Sequence, residues 1–393
     1  MLDATHLRTQ LIDTLARDGW ITTPAIEEAM RTVPRHLFLP EVAVQEAYED
    51  KNVPTKTGPD GACLSSASAP HIVAMMLDQL QPTPGMRILE IGSGTGYNAS
   101  LLTQLGAHVT TIDIDPDAVA HTRNAFEQVG IDSVTLLEGD GENGAVEGAP
   151  YDGIVVTAGA WDLPPAWISQ LAERGLLVVP LRFRGTTRSI AFQRHGQELV
   201  SQSVRLCGFI PMRGSDDGES DIDLGGQVTL RHDNDQNIDP AALETVLDQP
   251  RHLAWSGVEL GVEPITGIWG RLATYEPGTC RIAAEPTAVR SGRANPPIPM
   301  LSPAIVDGSS LAYLAHRPLD TGRSELGAYA HGPDAHAMGS RLVEHIRAWG
   351  TDRNEHLHIT ASTSGATHAG AQTRPGGVIS KHHVNLVLQD GAR

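Results

Sequence analysis

Leu89-Glu90-Ile91-Gly92-Ser93-Gly94-Thr95-Gly96-Tyr97 is the stretch on which the fold turns. An aliphatic run ends in an acid, breaks into a glycine triplet, and gives way to a helix-forming segment at Tyr97. Glycine at Gly92, Gly94 and Gly96 lets the backbone turn tightly and come close to a ligand. A dinucleotide site prefers a further glycine three places after the second, in the G-x-G-x-x-G pattern. That place holds Tyr97. With Glu90 before the turn and Asp113 ending the next strand, where an acid can accept bonds from ribose hydroxyls, the spacing points to S-adenosyl-L-methionine. The competing reading is an ordinary tight strand-to-helix turn.

Outward from this turn, strands and helices alternate. Met86–Ile91, His108–Asp113, Ser133–Leu137, Gly153–Thr157 and Gly175–Leu181 read as strands, with helices at Tyr97–Leu105, Pro116–Val129 and Pro165–Ala172. Near-continuous aliphatic strands between helices predict a doubly wound, mostly parallel sheet covered on both faces. Ser189–Arg194 and Leu199–Leu206 read as an antiparallel pair finishing it. The expected fold is therefore α/β, a Rossmann-like class I methyltransferase. Asp140 and Gly141 follow the third strand, where an acid can meet the adenine amino group, although Asp-Gly also forms plain turns. Thr157 ends the fourth strand. All these residues share the carboxyl ends of the strands, outside which such sheets bind ligands.

Ahead of this core, helices are expected at Leu7–Arg17, Pro24–Thr32 and Ala69–Leu80, with Pro70 in the first turn of the last. Tyr48–Ser68 is polar and without clear periodicity, and reads as a long loop, either functional or disordered. After the core, the acidic, glycine- and serine-bearing run 214–224 reads as a linker between a domain at 1–213 and a C-terminal α+β domain at 225–393. In that second domain we expect a strand at Gln227–Arg231 and a helix at Pro240–Asp248 capped by Asp239. A long helix at Ala335–Trp349 follows, then strands at His356–Thr360 and Val384–Leu388. Gly365–Gly377 reads as a mobile loop.

With 393 residues the chain exceeds the ~250–300 at which single cores stop growing, so two domains are reasonable. Its 29 basic and 47 acidic residues give a net charge of −18, which repels a phosphate backbone and argues against nucleic acid. Three scattered cysteines, Cys63, Cys207 and Cys280, suit a reducing cytoplasm and form no zinc motif. No apolar run reaches the ~18–20 residues of a membrane helix, so no membrane partner is expected. The 17 histidines show no metal-ligand spacing, and no metal is expected.

Val33-Pro34-Arg35-His36-x-Phe38-x-Pro40, Tyr48-x-Asp50, Ser68-Ala69-Pro70-His71, Gly139-Asp140-Gly141 and Phe209-x-Pro211-Met212 accompany the glycine turn. Together, over residues 5–212, they resemble the protein-L-isoaspartate O-methyltransferase family. The resemblance implies that Ser68, before Ala69-Pro70, is the catalytic-site residue holding the acceptor carboxylate. It implies donor contacts at Glu90, Gly92, Ser93, Gly94, Gly96, Tyr97, Asp113, Asp140, Gly141 and Thr157. It also implies substrate contacts at Tyr48, Asp50, Pro70 and His71, the partner being a peptide or protein bearing Asp or isoAsp. Ser68 can equally be a helix N-cap. A carboxylate is already a nucleophile at neutral pH, so such chemistry needs alignment and exclusion of water and no general base.

Two departures from the family stand out. Lys51–Asp60 replaces a short proline- and glycine-containing substrate segment, and a C-terminal domain is added. This combination is similar to a subgroup associated with ribosomal peptide (lanthipeptide-type) biosynthesis. Those enzymes methylate an aspartate of a cyclised precursor, and the ester closes to a succinimide and opens to isoaspartate. The resemblance then implies that the C-terminal domain binds the peptide. The alternative expectation is repair of isoaspartate in damaged proteins.

Overall fold

The computed structural model describes residues 3–214, 218–261, 263–363 and 377–391. The chain divides into two compact units: Met1–Leu181 with Thr187–Asp216, and Arg182–Thr186 with Asp217–Arg393.

The first unit opens with α1 (Ala4–Arg17), whose N-cap Asp3 accepts from Thr5 N, and α2 (Pro24–Thr32), with proline in its first turn. A 3-10 turn (Arg35–Phe38) and the single-turn α3 (Val44–Ala47) follow. Strands β1 (Val53–Thr57) and β2 (Cys63–Ala67) then pair antiparallel. This hairpin corrects the loop expected over Tyr48–Ser68. Its strands lack alternation because their apolar contribution to the small cluster around Leu39 and Ala47 is limited to Val53 and Ala67, and the register shifts twice beside Lys56. Helix α4 (Pro70–Leu80) follows as expected.

The alternating core is β3 (Arg87–Ile91), α5 (Tyr97–Gln104), β4 (His108–Asp113), α6 (Pro116–Val129), β5 (Thr135–Glu138), β6 (Tyr151–Val156), α7 (Pro165–Gln170), β7 (Leu171–Phe183), β8 (Thr186–His195) and β9 (Glu198–Leu206). The strand order β9-β8-β7-β6-β3-β4-β5 is parallel from β7 to β5, and β8 and β9 pair antiparallel. It is the expected Rossmann-like class I fold, with a mixed sheet. The chain moves outward from β3 through β4 to β5, then returns to place β6 on the other flank of β3. Connections on the two flanks diverge there, so a crevice opens beyond the carboxyl ends of β3 and β6. The core is aliphatic, with Ile88, Leu101, Val155 and Val178 all buried.

In the second unit, β10 (Glu219–Asp223), β11 (Val228–Asp233), β12 (His252–Leu260), β13 (Thr279–Ala284), β14 (Ser302–Asp307), β15 (Ser310–Pro318) and β16 (Ser324–His331) form an antiparallel seven-stranded sheet, ordered β10-β11-β13-β14-β15-β16-β12. Helices α8 (Thr266–Tyr275), α9 (Pro286–Ser291) and α10 (Ala335–Thr351) accompany it. Leu342, Ile346 and Trp349 of α10 pack with Ile305, Leu314 and Leu326 of the sheet. Strand β19 (Val384–Asp390) pairs with β17 (Leu357–Thr363) and β18 (Val378–Ser380).

Two expectations change here. Glu219–Asp223, assigned to the acidic linker, forms β10, because Ile222 is buried while the flanking acids stay at the surface or pair with arginines. The helix expected at Pro240–Asp248 is two 3-10 turns, Pro240–Ala242 and Val246–Asp248, although Asp239 does cap the first through Ala241 N. The loop expected at Gly365–Gly377 falls, but for its last residue, outside the described residues.

Candidate functional site

A cavity of about 440 Å³ occupies the crevice beyond β3 and β6, within the first unit. The turn after β3 forms its floor. Gly92 has φ +97° and donates its amide to Ile112 O at 2.8 Å, while its carbonyl accepts from Thr157 Oγ1 at 2.6 Å. A Cβ at Gly92 would collide with that Thr157 oxygen, so both conformation and space demand glycine. Gly94 donates to Asp113 Oδ2 at 3.0 Å, and Asp115 N donates to the other oxygen at 2.9 Å. Asp113 therefore braces the turn from the end of β4 while lining the cavity. Gly96 caps α5 beneath the turn without lining the cavity itself.

Glu90 lines the cavity but is only 1% exposed. Burial pushes its carboxyl up to about 7, against the pull of hydrogen bonds from Thr111 Oγ1 at 2.5 Å and Asn98 Nδ2 at 2.9 Å. The unfolded chain ionises this group near 4.5, so the fold holds the proton more tightly between there and about 7. Stability is then lost as pH rises through that window. Glu90→Gln should raise the free energy of unfolding, read by denaturant titration, more at pH 8 than at pH 5, the difference amounting to something on the order of 3 kcal/mol. Equal shifts at both pH values would show that Glu90 does not titrate this way.

The opposite wall comes from β2 and the start of α4. Ser68 lines the cavity, and its hydroxyl makes no hydrogen bond among the described residues. The cap is Ala69, and the free amides of the first turn of α4 are met from elsewhere. Ala69 N donates to Asn52 Oδ1 at 2.8 Å and His71 N to Asp50 Oδ1 at 3.0 Å. Asp50 and Asn52 thus cap the helix and leave Ser68 free to face the cavity. Residues Phe209–Arg213 close the third side, tied to the strand end beyond Thr157 by Gly159 N to Ile210 O and Met212 N to Gly159 O.

Around the mouth, Asp115 joins Lys56 of β1, at 2.7 Å, to Arg213, at 2.8 Å. Burial pushes the Asp115 carboxyl up, but these cations and the Asp117 amide outweigh it and hold it at about 2.

Of the residues expected at the site, Ser68, Glu90, Gly92, Ser93, Gly94, Tyr97, Asp113, Gly141 and Thr157 line this cavity. Tyr48, Asp50, Pro70, His71 and Asp140 do not. Tyr48 is buried with its hydroxyl on His36 Nδ1 at 2.8 Å, and Pro70 is buried in the first turn of α4. His71 packs against Trp20, their ring centres 4.7 Å apart and the planes tilted by 53°, and bonds Asp50. Asp140 is exposed and caps a 3-10 turn through Glu142 N. Sequence reasoning gave no role to Arg35, Asn52 or Arg213, all of which line the cavity. A charged residue at Arg35, between apolar Val33 and Phe38, was the one local sign available.

The cavity suits S-adenosyl-L-methionine on its own geometry. It has a glycine cradle that a Cβ would fill at Gly92, an acid, Asp113, at the end of β4, and apolar Ile91, Ile112 and Ile114 beside them.

Comparison with known proteins agrees. Residues 6–217 match the family model described as Protein-L-isoaspartate(D-aspartate) O-methyltransferase (PCMT). A protein-L-isoaspartate O-methyltransferase of Hyperthermus butylicus is 37% identical over 220 residues, 53% of this chain and 88% of that protein. One from Methanoregula boonei is 37% identical over 207 residues, 53% of this chain and 93% of that protein. A solved structure described as a protein-L-isoaspartate O-methyltransferase aligns with TM-score 0.50 and 20% identity, covering 90% of this chain and 96% of its own. That likeness is one of fold, and its extent reaches well past the first unit.

Proposed function

The chain belongs to the protein-L-isoaspartate(D-aspartate) O-methyltransferase family, a group of S-adenosylmethionine-dependent carboxyl O-methyltransferases, and we propose that its acceptor is the carboxylate of an isoaspartyl residue in a protein or peptide. The observation that carries this reading is the Ser68 hydroxyl, unbonded on the wall of the cavity whose floor is the donor turn.

In this reading Gly92, Ser93, Gly94, Asp113 and Thr157 hold the donor, which supplies an activated methyl group when bound. Ser68 donates a hydrogen bond to one acceptor oxygen and so aims the other. Leu64, Ala67 and Ile72 of the cavity wall exclude water, which would otherwise solvate the carboxylate and blunt its nucleophilicity. No proton has to move.

A second reading, tailoring of an aspartate in a ribosomally made, lanthipeptide-type precursor, is favoured by one observation. The segment that departs from the family, Lys51–Asp60, contributes β1 of the hairpin beside the cavity and pins it through Lys56 to Asp115. The added C-terminal unit no longer argues strongly for it, because a fold described as a protein-L-isoaspartate O-methyltransferase spans 90% of this chain.

The two readings part in one experiment. Enzyme and isotopically labelled donor are incubated with an isoaspartyl hexapeptide and, separately, with a cyclised peptide containing normal Asp, and products are read by mass spectrometry. We expect methylation of the isoaspartyl peptide. Labelling of the cyclised Asp peptide alone would replace the first reading with the second.

A further inference from the structure

Two cations line the cavity, and they are treated differently. Arg213 is neutralised by Asp115, together with Lys56. Arg35 is 1% exposed and has no ion pair among the described residues. Its Nε donates to Ala47 O at 3.0 Å and its Nη2 to Ser68 O at 2.9 Å, both neutral acceptors, and the guanidinium lies 5.1 Å from the centre of the Tyr97 ring. Nη1 has no hydrogen-bond partner among the described residues. Asp50 acts on the guanidinium only at a distance and is bonded to the amide and ring of His71, while the anions of the cavity are committed elsewhere: Glu90 to Thr111 and Asn98, Asp113 to the amides of Gly94 and Asp115.

An arginine stays charged even when buried, and a buried charge is costly unless a counter-charge meets it. Burial does pull this guanidinium below its ordinary range. A direct ion pair is what Arg35 lacks among the described residues, and an anion entering the cavity next to Ser68 would supply it. We infer that Arg35 is the residue that selects an anionic acceptor, its Nη1 edge pairing with the acceptor carboxylate while its other nitrogens fix the Ser68 backbone.

This inference rests on the carboxylate-acceptor reading above and extends it in one direction. Methylation turns the acceptor's negative charge into a neutral ester, so Arg35 loses its partner at that moment. The same cation that draws the acid in therefore favours release of the ester.

The test uses the full chain with S-adenosyl-L-homocysteine present and whichever peptide the labelling experiment shows to be methylated. Binding is measured for that peptide and for its neutral analogue, in which the acceptor carboxylate is an amide. Wild type should bind the acid roughly 20-fold more tightly than the amide, as a charge-assisted hydrogen bond allows. In Arg35→Gln the discrimination should shrink to about twofold, with S-adenosyl-L-homocysteine affinity kept and amide affinity falling less than acid affinity, because the charge goes together with the bonds to Ala47 and Ser68. Arg35→Lys keeps the charge and sacrifices the two carbonyl bonds, so it should retain discrimination even with a lower melting temperature. Equal loss of acid and amide binding in Arg35→Gln, or loss of discrimination in Arg35→Lys, would overturn the inference and leave methylation by wild type untouched. Failure of wild type to methylate either peptide would overturn the acceptor reading, and this inference with it.

Discussion

Ser68→Ala is expected to lower kcat roughly 100-fold, the scale of one hydrogen bond to a charged group, with donor affinity changed by less than about twofold. The melting temperature should hardly move. Both expectations follow from the capping arrangement. Asp50 and Asn52 already meet the first amides of α4, so the Ser68 hydroxyl has no structural duty to lose. Turnover with saturating donor, donor binding by calorimetry and a thermal melt separate the cases. A fall in donor affinity equal to the fall in turnover would show that Ser68 acts on the donor and not on the acceptor.

Gly92→Ala acts on the other substrate, and its expected effect is larger. The residue sits at φ +97°, and a Cβ there would meet the Thr157 hydroxyl that bonds the Gly92 carbonyl. Backbone strain and overpacking together cost about 3–4 kcal/mol, enough to weaken donor binding several hundredfold. Loss of fold is the smaller part, because the turn can relax into the cavity that the donor would fill. Gly92→Ala with Thr157→Ala should recover part of the affinity by removing the steric conflict. No recovery in that double variant would show that backbone conformation alone sets the loss.

The two substitutions differ in how visible their targets were before folding. The donor turn was legible because its signals are local. An aliphatic strand, three glycines and a downstream acid lie within a short span, and each stands for a backbone conformation or a strand end that the segment adopts by itself. The acceptor wall was only partly legible. Ser68 came from a family pattern, and its neighbours in that pattern, Tyr48, Asp50, Pro70 and His71, were expected to touch substrate. None of these lines the cavity, and three bond or pack locally: Asp50 caps α4, Tyr48 holds His36, and His71 packs at a tilt against Trp20.

The hairpin at Val53–Ala67 escaped sequence reasoning for a related reason. Its two strands satisfy each other's backbone across a turn at Gly58–Gly61, and the register shifts beside Lys56 erase the alternation that marks a strand. In the second unit, the acids around Ile222 read as a linker because arginines outside the segment, Arg231 on the neighbouring strand and the more distant Arg182 and Arg281, supply their counter-charges.

What the chain determines by itself, then, is the alternating core, the place where it turns on glycine, and the acid that follows. These depend on propensity and periodicity, which act over a few residues. What tertiary structure alone decided is which side chains face the cavity. Arg35 reaches Ala47, Ser68 and Tyr97, positions spread across more than sixty residues, and only their convergence leaves a buried cation with no ion pair among the described residues. Charge burial is a property of the assembled surroundings, so no stretch of sequence carries it.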